Sequence, residues 1–247
     1  MSRLTLTDSL TVKAARTIPR SAEQPLNTAL SSGVFAPRST GDVRATRHNP
    51  IYRKLLHISP GLLAFLLPAL PHEKPLATQA LFEITLITAV LTGLYIALKR
   101  HVERPHETDF YVTTLSYPAA ILGTLFAFPA APELAVVVLV VLAFGDGSAC
   151  VVGSQIGGRR LPWNRDKTWA GTIAFAVVGG SLATLAYRGE ADPDSAWLAA
   201  LLCGGGAALV AAVVESLPVR FSDNARVGVV AACTAAVMHL FIVPVLR

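Results

Sequence analysis

Seven apolar stretches, separated by short polar or proline-containing breaks, follow one another from residue 54 to the carboxyl terminus. Each is close to the roughly 20 apolar residues that a helix needs to cross the hydrocarbon core of a membrane. The first stretch departs most from this pattern, because it is short and contains His57 and Pro60. The predicted spans cover residues 54–70, 76–98, 110–128, 133–152, 169–187, 196–214 and 227–246.

The composition agrees with this pattern. Hydrophobic side chains make up 53% of the 247 residues and charged side chains only 15%, which is too apolar for a soluble domain of this size. We therefore predict an all-α, multi-pass transmembrane helical bundle. Cys150, Cys203 and Cys233 form no Cys-x-x-Cys pair, which predicts free thiols. The net charge of +5 comes from short segments beside the spans, so no nucleic-acid partner is expected.

The distribution of basic residues predicts the orientation of the bundle. Cytoplasmic connections of membrane proteins carry an excess of Lys and Arg, and this rule fits every connection when the amino terminus is cytoplasmic. The predicted outer side holds only Lys74, Arg188 and Arg247. The predicted inner side holds Arg53, Lys54, Lys99, Arg100, Arg104, Arg159, Arg160, Arg165, Lys167, Arg220 and Arg226.

Residues 1–50 differ sharply from the rest. They are rich in Ser, Thr, Arg and Pro and show no apolar periodicity, so we predict a disordered, basic cytosolic tail followed by a transmembrane domain over residues 51–247. The same composition resembles an organellar transit peptide. We therefore predict the bacterial cytoplasmic membrane, with an organellar membrane as the alternative if the tail is a transit peptide.

A polar island over residues 145–168 interrupts the apolar pattern. Asp146 lies at the edge of the fourth predicted span, where an ionisable group costs roughly 2.5 kcal/mol or more. A carboxylate at a cytoplasmic mouth is a natural ligand for Mg²⁺, which commonly arrives with a nucleotide's phosphates. Asp146, Ala149, Gly153 and Gly157 share one face if the helix continues past Asp146, although small residues also serve close helix packing.

The loop that follows, residues 157–168, offers flexible backbone N–H groups that can hold a polyphosphate. It contains four cations, Arg159, Arg160, Arg165 and Lys167. Ordinary loop charge accounts equally well for the three arginines. Lys167 and Thr168, in contrast, open the fifth predicted span, where a helix amino terminus already favours anions. The loop is not a Walker A motif, because Gly-Lys-Ser/Thr is absent.

Further polar residues flank the first and sixth predicted spans. Glu215 lies at a helix carboxyl end, where the macrodipole disfavours negative charge, so its position indicates a compensating metal or cation. Asp223 and Asn224 follow within a short turn and fit either a helix cap or a metal and nucleotide site. Near the first span, His57 shares a helical face with Arg53 and lies close to Lys54. All these segments are predicted on the cytoplasmic side, so one site could use them together.

These motifs occur in a fixed order that covers about residues 51–247. They are Arg53-Lys54-x-x-His57-x-x-x-Gly61, Asp146-x-x-Ala149-x-x-x-Gly153-x-x-x-Gly157, Lys167-Thr168-x-x-Gly171-Thr172, Glu215-Ser216-Leu217-Pro218 and Asp223-Asn224. Each piece alone is weak, but the ordered set resembles the CTP-dependent polyprenol kinase family, which includes phytol, farnesol and dolichol kinases. In length the chain is more similar to the phytol-kinase-like branch.

The resemblance implies an integral-membrane kinase that transfers the γ-phosphoryl group of CTP to the hydroxyl of a long-chain isoprenoid alcohol, with Mg²⁺ as cofactor. It implies catalytic roles for Asp146, Lys167 and Glu215 and metal ligation by Asp146, Glu215 and Asp223. The implied nucleotide-binding residues are Gly153, Gly157, Arg159, Arg160, Lys167, Thr168 and Asn224. The implied substrate pocket contains Arg53, Lys54 and His57.

One departure and two alternatives accompany this hypothesis. The family commonly has a glutamate where this chain has Ala170. Membrane cytidylyltransferases that make CDP-diacylglycerol resemble the chain around Asp146 and Lys167, but their late His-Gly-Gly and Asp-Arg-x-Asp signature has no match. An ion-coupled transporter would show two matching halves with broken helices, and no such repeat is visible.

Overall fold

The computed structural model of the protein describes residues 50–69, 72–99, 110–191, 195–219 and 221–246, with side chains described from residue 54 to residue 245. The predicted tail lies outside these ranges except for its last residue, and the side chain of Arg53 lies outside them as well. The disordered tail therefore stays a prediction from the sequence.

The described residues form helices and no strand. An amino-terminal helix, α1 (Pro50–Ile58), continues through a 3₁₀ turn into the short helix α2 (Leu63–Leu66). The longer helices are α3 (Thr78–Ala97), α4 (Phe110–Ala127), α5 (Glu133–Gln155), α6 (Trp169–Glu190), α7 (Trp197–Ser216) and α8 (Asp223–Leu246).

The last six predicted spans are confirmed in type and approximate position. In the part of the chain that the structure describes, six helices are long and apolar enough to cross a membrane. The first predicted span is found at its predicted position, Lys54–Ala69, but it is not among the helices long enough to cross a membrane. It contains a 3₁₀ turn that begins at Ser59, and at about 1.5 Å per residue the segment is shorter than the roughly 30 Å hydrocarbon core.

Helix α5 lies at the centre of the bundle. Every residue from Glu133 to Ala143 is buried, and this part of α5 packs against α4, α6 and α8. Helices α7 and α8 pack closely together through small side chains such as Ala211 and Ala235, both fully buried. Such small residues let helices approach where lipid supplies no hydrophobic driving force. Helix α3 lies at the periphery and contacts α4.

Three of the long helices contain a π-helical turn that ends at a glycine. These turns are Val141–Gly145 in α5, Phe175–Gly179 in α6 and Leu201–Gly205 in α7. The first two meet, because a Cβ added at Gly179 would lie 2.9 Å from the Cα of Gly145. A π turn in a helix is frequently associated with a functional site, and Asp146 directly follows the turn in α5.

Candidate active site

A single cavity of about 1710 Å³ extends between the helices. Its polar end contains Asp146, Lys167, Glu215 and Asp223, and the rest of its wall is largely apolar and comes from α1 to α5. Ligand pockets of ordinary size measure roughly 300–1,000 Å³. The cavity is therefore large enough to hold two ligands, one polar and one apolar.

Lys167 joins the two acidic segments that flank the connection between α7 and α8. Its ammonium group donates to the Glu215 carboxylate and lies 3.1 Å from Asp223 Oδ2. Glu215 is only 3% exposed. Asp223 also accepts from Arg226, which in turn donates to the carbonyl oxygen of Val214 at 2.9 Å. This network holds Lys167 in one position at the mouth of the cavity.

The carboxylates around Lys167 keep it charged. Burial by itself lowers the pKa of this side chain, but Glu215 and Asp223 act against burial, and the net result is a pKa above the ordinary value of 10.5. Lys167 is thus a cation at every pH below that value. A fixed cation of this kind is suited to binding a polyphosphate.

Asp146 is held by His57 on the opposite wall of the polar end. His57 Nε2 lies 3.2 Å from Asp146 Oδ2 and 3.1 Å from the carbonyl oxygen of Leu142, which belongs to the π turn of α5. Both oxygens are acceptors, so we infer that this nitrogen carries the hydrogen. The tyrosine ring of Tyr117 packs edge-on against His57 at 5.4 Å between centroids. His57 therefore orients Asp146 and connects it to Tyr117.

Backbone and side-chain hydrogen bonds fix the conformation of the loop between α5 and α6. Gly157 and Gly158 follow the end of α5 and have φ of 63° and 88°, values that glycine adopts readily. The amide of Leu161 donates to the carbonyl of Lys167 at 3.0 Å. The side-chain amide of Asn164 donates to the carbonyl of Ser216 at 3.1 Å. The loop is thereby attached to the end of α7, which places Lys167 beside Glu215.

Close packing of α5 on α6 explains two of the glycines in this region. A Cβ at Gly171 would lie 2.9 Å from the carbonyl oxygen of Ala149, and one at Gly153 would lie 3.1 Å from Thr168 Oγ1. Thr168 caps α6 by accepting from the amide of Gly171 at 3.1 Å. Gly153 thus has a packing role, as small residues between membrane helices commonly do.

The structure corrects the predicted positions or roles of several site residues. Gly157 lies beyond the end of α5, so it does not share the helical face of Asp146 and Gly153. Arg160 lines the cavity, whereas Arg159 is absent from its wall. Asn224 does not cap α8, because the helix already begins at Asp223.

Asn224 and Lys54, both predicted for the site, form hydrogen bonds with other helices of the bundle. Asn224 lines the cavity, but its amide group donates to the carbonyl of Thr113 in α4 at 2.9 Å. Lys54 lines the cavity and donates to Ser154 at 3.1 Å. Both side chains therefore also connect helices.

The acidic residues fit a metal ion that arrives with phosphates. Among the described residues, no group of three or more His, Cys, Asp or Glu side chains could hold a metal ion by itself. Mg²⁺ in nucleotide sites usually needs only one or two carboxylates, with phosphate and water oxygens completing its shell. Asp146 and Asp223 line the cavity with side chains 25% and 40% exposed. Glu215, in contrast, is only 3% exposed beside Lys167.

The structure adds residues that the sequence did not single out. Tyr117 lines the cavity between its polar and apolar parts, and its buried hydroxyl has no hydrogen-bond partner among the described residues. Arg226, which the sequence places only among the inner basic residues, donates to Asp223 and to the carbonyl oxygen of Val214. No sequence signal marks Tyr117, since tyrosine is common near membrane interfaces.

Comparison with known proteins identifies homologues. A farnesol kinase of Arabidopsis thaliana, named as chloroplastic, is 27% identical over 203 residues, covering 74% of this chain and 63% of the relative. Phytol kinase 1 of the same plant is 28% identical over 188 residues, covering 71% and 62%. A probable phytol kinase 2 of Glycine max is 33% identical over 118 residues, covering 46% and 40%.

These three alignments span less than two thirds of the length of each relative. No protein-family model matches the chain. No solved structure matches it significantly. The resemblance to phytol- and farnesol-kinase-like polyprenol kinases is nevertheless confirmed by these homologues.

Proposed function

Because the chain is related to the phytol- and farnesol-kinase-like polyprenol kinases, we propose that it is an integral-membrane kinase that transfers the γ-phosphoryl group of CTP to the hydroxyl of a long-chain isoprenoid alcohol. One observation carries this proposal: a single cavity joins Lys167 and its carboxylates to an apolar chamber between helices. A nucleotide and a lipid alcohol need such a cavity, because one is polar, the other is apolar, and their reacting atoms must meet.

The triphosphate would bind at the mouth of the cavity. Lys167 supplies a fixed cation, and Arg160, which donates to the backbone of the loop at Asp166, supplies a second. Glu215 keeps Lys167 in place. Asp146 and Asp223 would hold Mg²⁺, which when bound would neutralise charge on the phosphates. Phosphoryl transfer runs through a loose transition state, so positioning and charge neutralisation of this kind provide most of the catalysis.

The alcohol would enter from the apolar chamber with its hydroxyl toward Asp146. The unpartnered hydroxyl of Tyr117 lies at this boundary and is positioned to hydrogen-bond the incoming alcohol. The alcohol oxygen then forms a bond to the γ-phosphorus, and the bond from that phosphorus to the oxygen of the β-phosphate breaks. CDP leaves, and the hydroxyl proton passes to the oxygens of the transferred phosphoryl group.

A direct test uses purified protein in detergent with CTP, Mg²⁺ and a prenol. We expect prenyl phosphate and CDP from the wild type and near-total loss in Asp146→Asn and Lys167→Ala, since each removes a charge from the polar end. Tyr117→Phe should lower turnover of the alcohol while leaving nucleotide binding unchanged. Glu73→Gln, which alters an exposed acid outside the cavity, serves as control.

The products distinguish the alternatives. Full activity in Asp146→Asn or Lys167→Ala would refute the assigned roles. Pyrophosphate together with a CDP-lipid would identify a cytidylyltransferase, and cation-dependent uptake into vesicles without nucleotide would identify a transporter. Replacing CTP by ATP, GTP or UTP in the same assay tests the choice of donor.

The compartment is a separate part of the proposal. The names of the three relatives include the word chloroplastic, which supports the organellar membrane over the bacterial cytoplasmic membrane among the two predicted compartments. Fusion of residues 1–50 to a fluorescent protein tests this choice, because a transit peptide would direct the fusion into an organelle.

A further inference from the structure

A second polar cluster lies far from the candidate active site. Lys74 lies 3.1 Å from Glu133 Oε2, at the start of α5, and donates to the backbone carbonyl of Glu190, at the end of α6. His72 Nε2 lies 2.6 Å from Glu190 Oε1. Glu133 and Glu190 are 6% and 5% exposed. We call these four residues the distal cluster.

Two members of the distal cluster line the same cavity that begins at Lys167. His72 and Glu190 line the cavity, as do Leu76 and Ala135 beside them. Leu76 packs in a small apolar group with Leu125 and Ala135, and Ala80 packs against that group. The cavity wall therefore changes from polar to apolar and back to polar along its length.

The length of the apolar part follows from helix α5. Asp146 at the active end lies thirteen positions after Glu133 in the distal cluster, and at about 1.5 Å per residue this distance is roughly 20 Å. An extended carbon chain advances about 1.25 Å per bond, given C–C bonds of about 1.52 Å. One isoprene unit has four backbone bonds and measures about 5 Å on the same basis. The apolar part thus accommodates about four units.

From this geometry we infer that the distal cluster sets an upper limit of about twenty carbons on the isoprenoid chain of the substrate. This inference rests on the proposed function and adds to it a substrate length and the residues that determine it. A longer tail would have to separate the buried carboxylate of Glu133 from Lys74 and that of Glu190 from its hydrogen-bond partner His72, and breaking a buried ion pair leaves an uncompensated charge. Leu76 and Ala80, which line the cavity next to the cluster, would determine how closely the tail approaches it.

The test is a competition among linear prenols of 10, 15, 20, 25 and 45 carbons in one reaction with CTP and Mg²⁺. The prenyl phosphates are quantified by mass spectrometry. We expect the wild type to phosphorylate the 15- and 20-carbon alcohols and to disfavour the 45-carbon alcohol by on the order of a hundredfold, since an apolar pocket discriminates about 10–200-fold per misfitting methylene. Ratios within one reaction are insensitive to how much of a variant is folded.

Two variants should shift the ratios in opposite directions. Leu76→Ala lengthens the chamber and should raise the 25-carbon product relative to the 20-carbon product by about tenfold. Ala80→Phe shortens the chamber and should lower the 20-carbon product relative to the 15-carbon product by about as much. Leu86→Ala and Ala89→Phe make the same changes at exposed positions of α3 outside the cavity wall and should leave both ratios unchanged.

The outcomes separate this inference from the proposed function. Equal phosphorylation of all lengths by the wild type would show that the tail leaves the cavity sideways into the membrane, which overturns the length limit while the kinase activity stands. Unchanged ratios in both Leu76→Ala and Ala80→Phe would overturn it as well, and the distal cluster would then only hold helices together. If the wild type phosphorylates no prenol, the proposed function fails and the length limit fails with it.

Discussion

The pairing of Lys167 with Glu215 makes it possible to separate a role in stability from a role in catalysis. Glu215 is buried and its carboxylate accepts from Lys167. Lys167→Met leaves that carboxylate without its cation. Breaking a buried ion pair by removing one partner costs about 3–5 kcal/mol, and we expect the lower end because a lone buried carboxylate can take up a proton.

A loss of about 3 kcal/mol corresponds to a decrease of about 6–12 °C in Tm for a chain of this size. The double variant Lys167→Met with Glu215→Gln removes both charges, so most of this stability should return. Catalysis should not return, because the cation that binds the phosphates is still absent. Loss of one such group typically lowers kcat by about 10²–10³-fold.

Two measurements on each variant check this reasoning. Thermal unfolding is followed with a thiol-reactive dye after the exposed thiols have been blocked, since Cys203 is buried and reacts only when the bundle opens. CTP-dependent phosphorylation of a prenol is measured in parallel. A double variant as unstable as Lys167→Met would refute the buried-charge argument. A double variant with restored activity would refute the phosphate-binding role of Lys167.

Two further predictions concern helix packing and pH. Gly171→Ala should lower stability by about 1–3 kcal/mol, because the new Cβ would meet the carbonyl of Ala149 at 2.9 Å, whereas Gly93→Ala, with nothing within 4 Å, should be neutral or stabilising. Equal Tm values for the two variants would contradict this packing. The stability difference between wild type and Lys167→Met should stay constant up to about the ordinary pKa of 10.5 and decrease only above it, because the pKa of Lys167 is raised in the folded state. A decrease near pH 8 in thermal unfolding would show that Lys167 loses its proton far earlier.

The sequence predicted the helices well because the membrane imposes a simple rule. Spans of about 20 apolar residues are needed to cross it, so the boundaries of α3 to α7 follow from where charges and prolines interrupt the apolar runs. The segment at Pro60 was mispredicted as a full span. Its hydropathy is high enough, but composition does not reveal that the α-helix tightens into a 3₁₀ turn at Ser59–Leu62 and that the helical segment ends at Ala69.

The sequence also predicted which segments meet, but not which atoms pair. The predicted membrane orientation alone places the segments of Lys167, Glu215 and Asp223 on one side of the bundle. The structure places these three side chains in contact. The contact of His57 with the carbonyl oxygen of Leu142 lies in the π turn of α5, and the sequence does not mark such a turn. The sequence also does not predict the hydrogen bond from Asn224 to a backbone carbonyl, because any residue could provide that carbonyl.

The π turn before Asp146 takes up one extra residue within α5. A π turn contains one residue more than the corresponding α-helical turn, so the residues on its two sides keep nearly the same relative direction. Deleting one residue from Val141–Gly145 would therefore convert the π turn into an α-helical turn and leave the direction of Asp146 nearly unchanged. It would, however, move the carbonyl oxygen of Leu142, which lies in this turn 3.1 Å from His57 Nε2, so in this protein one residue more or less in a helix would alter how the site's histidine is held.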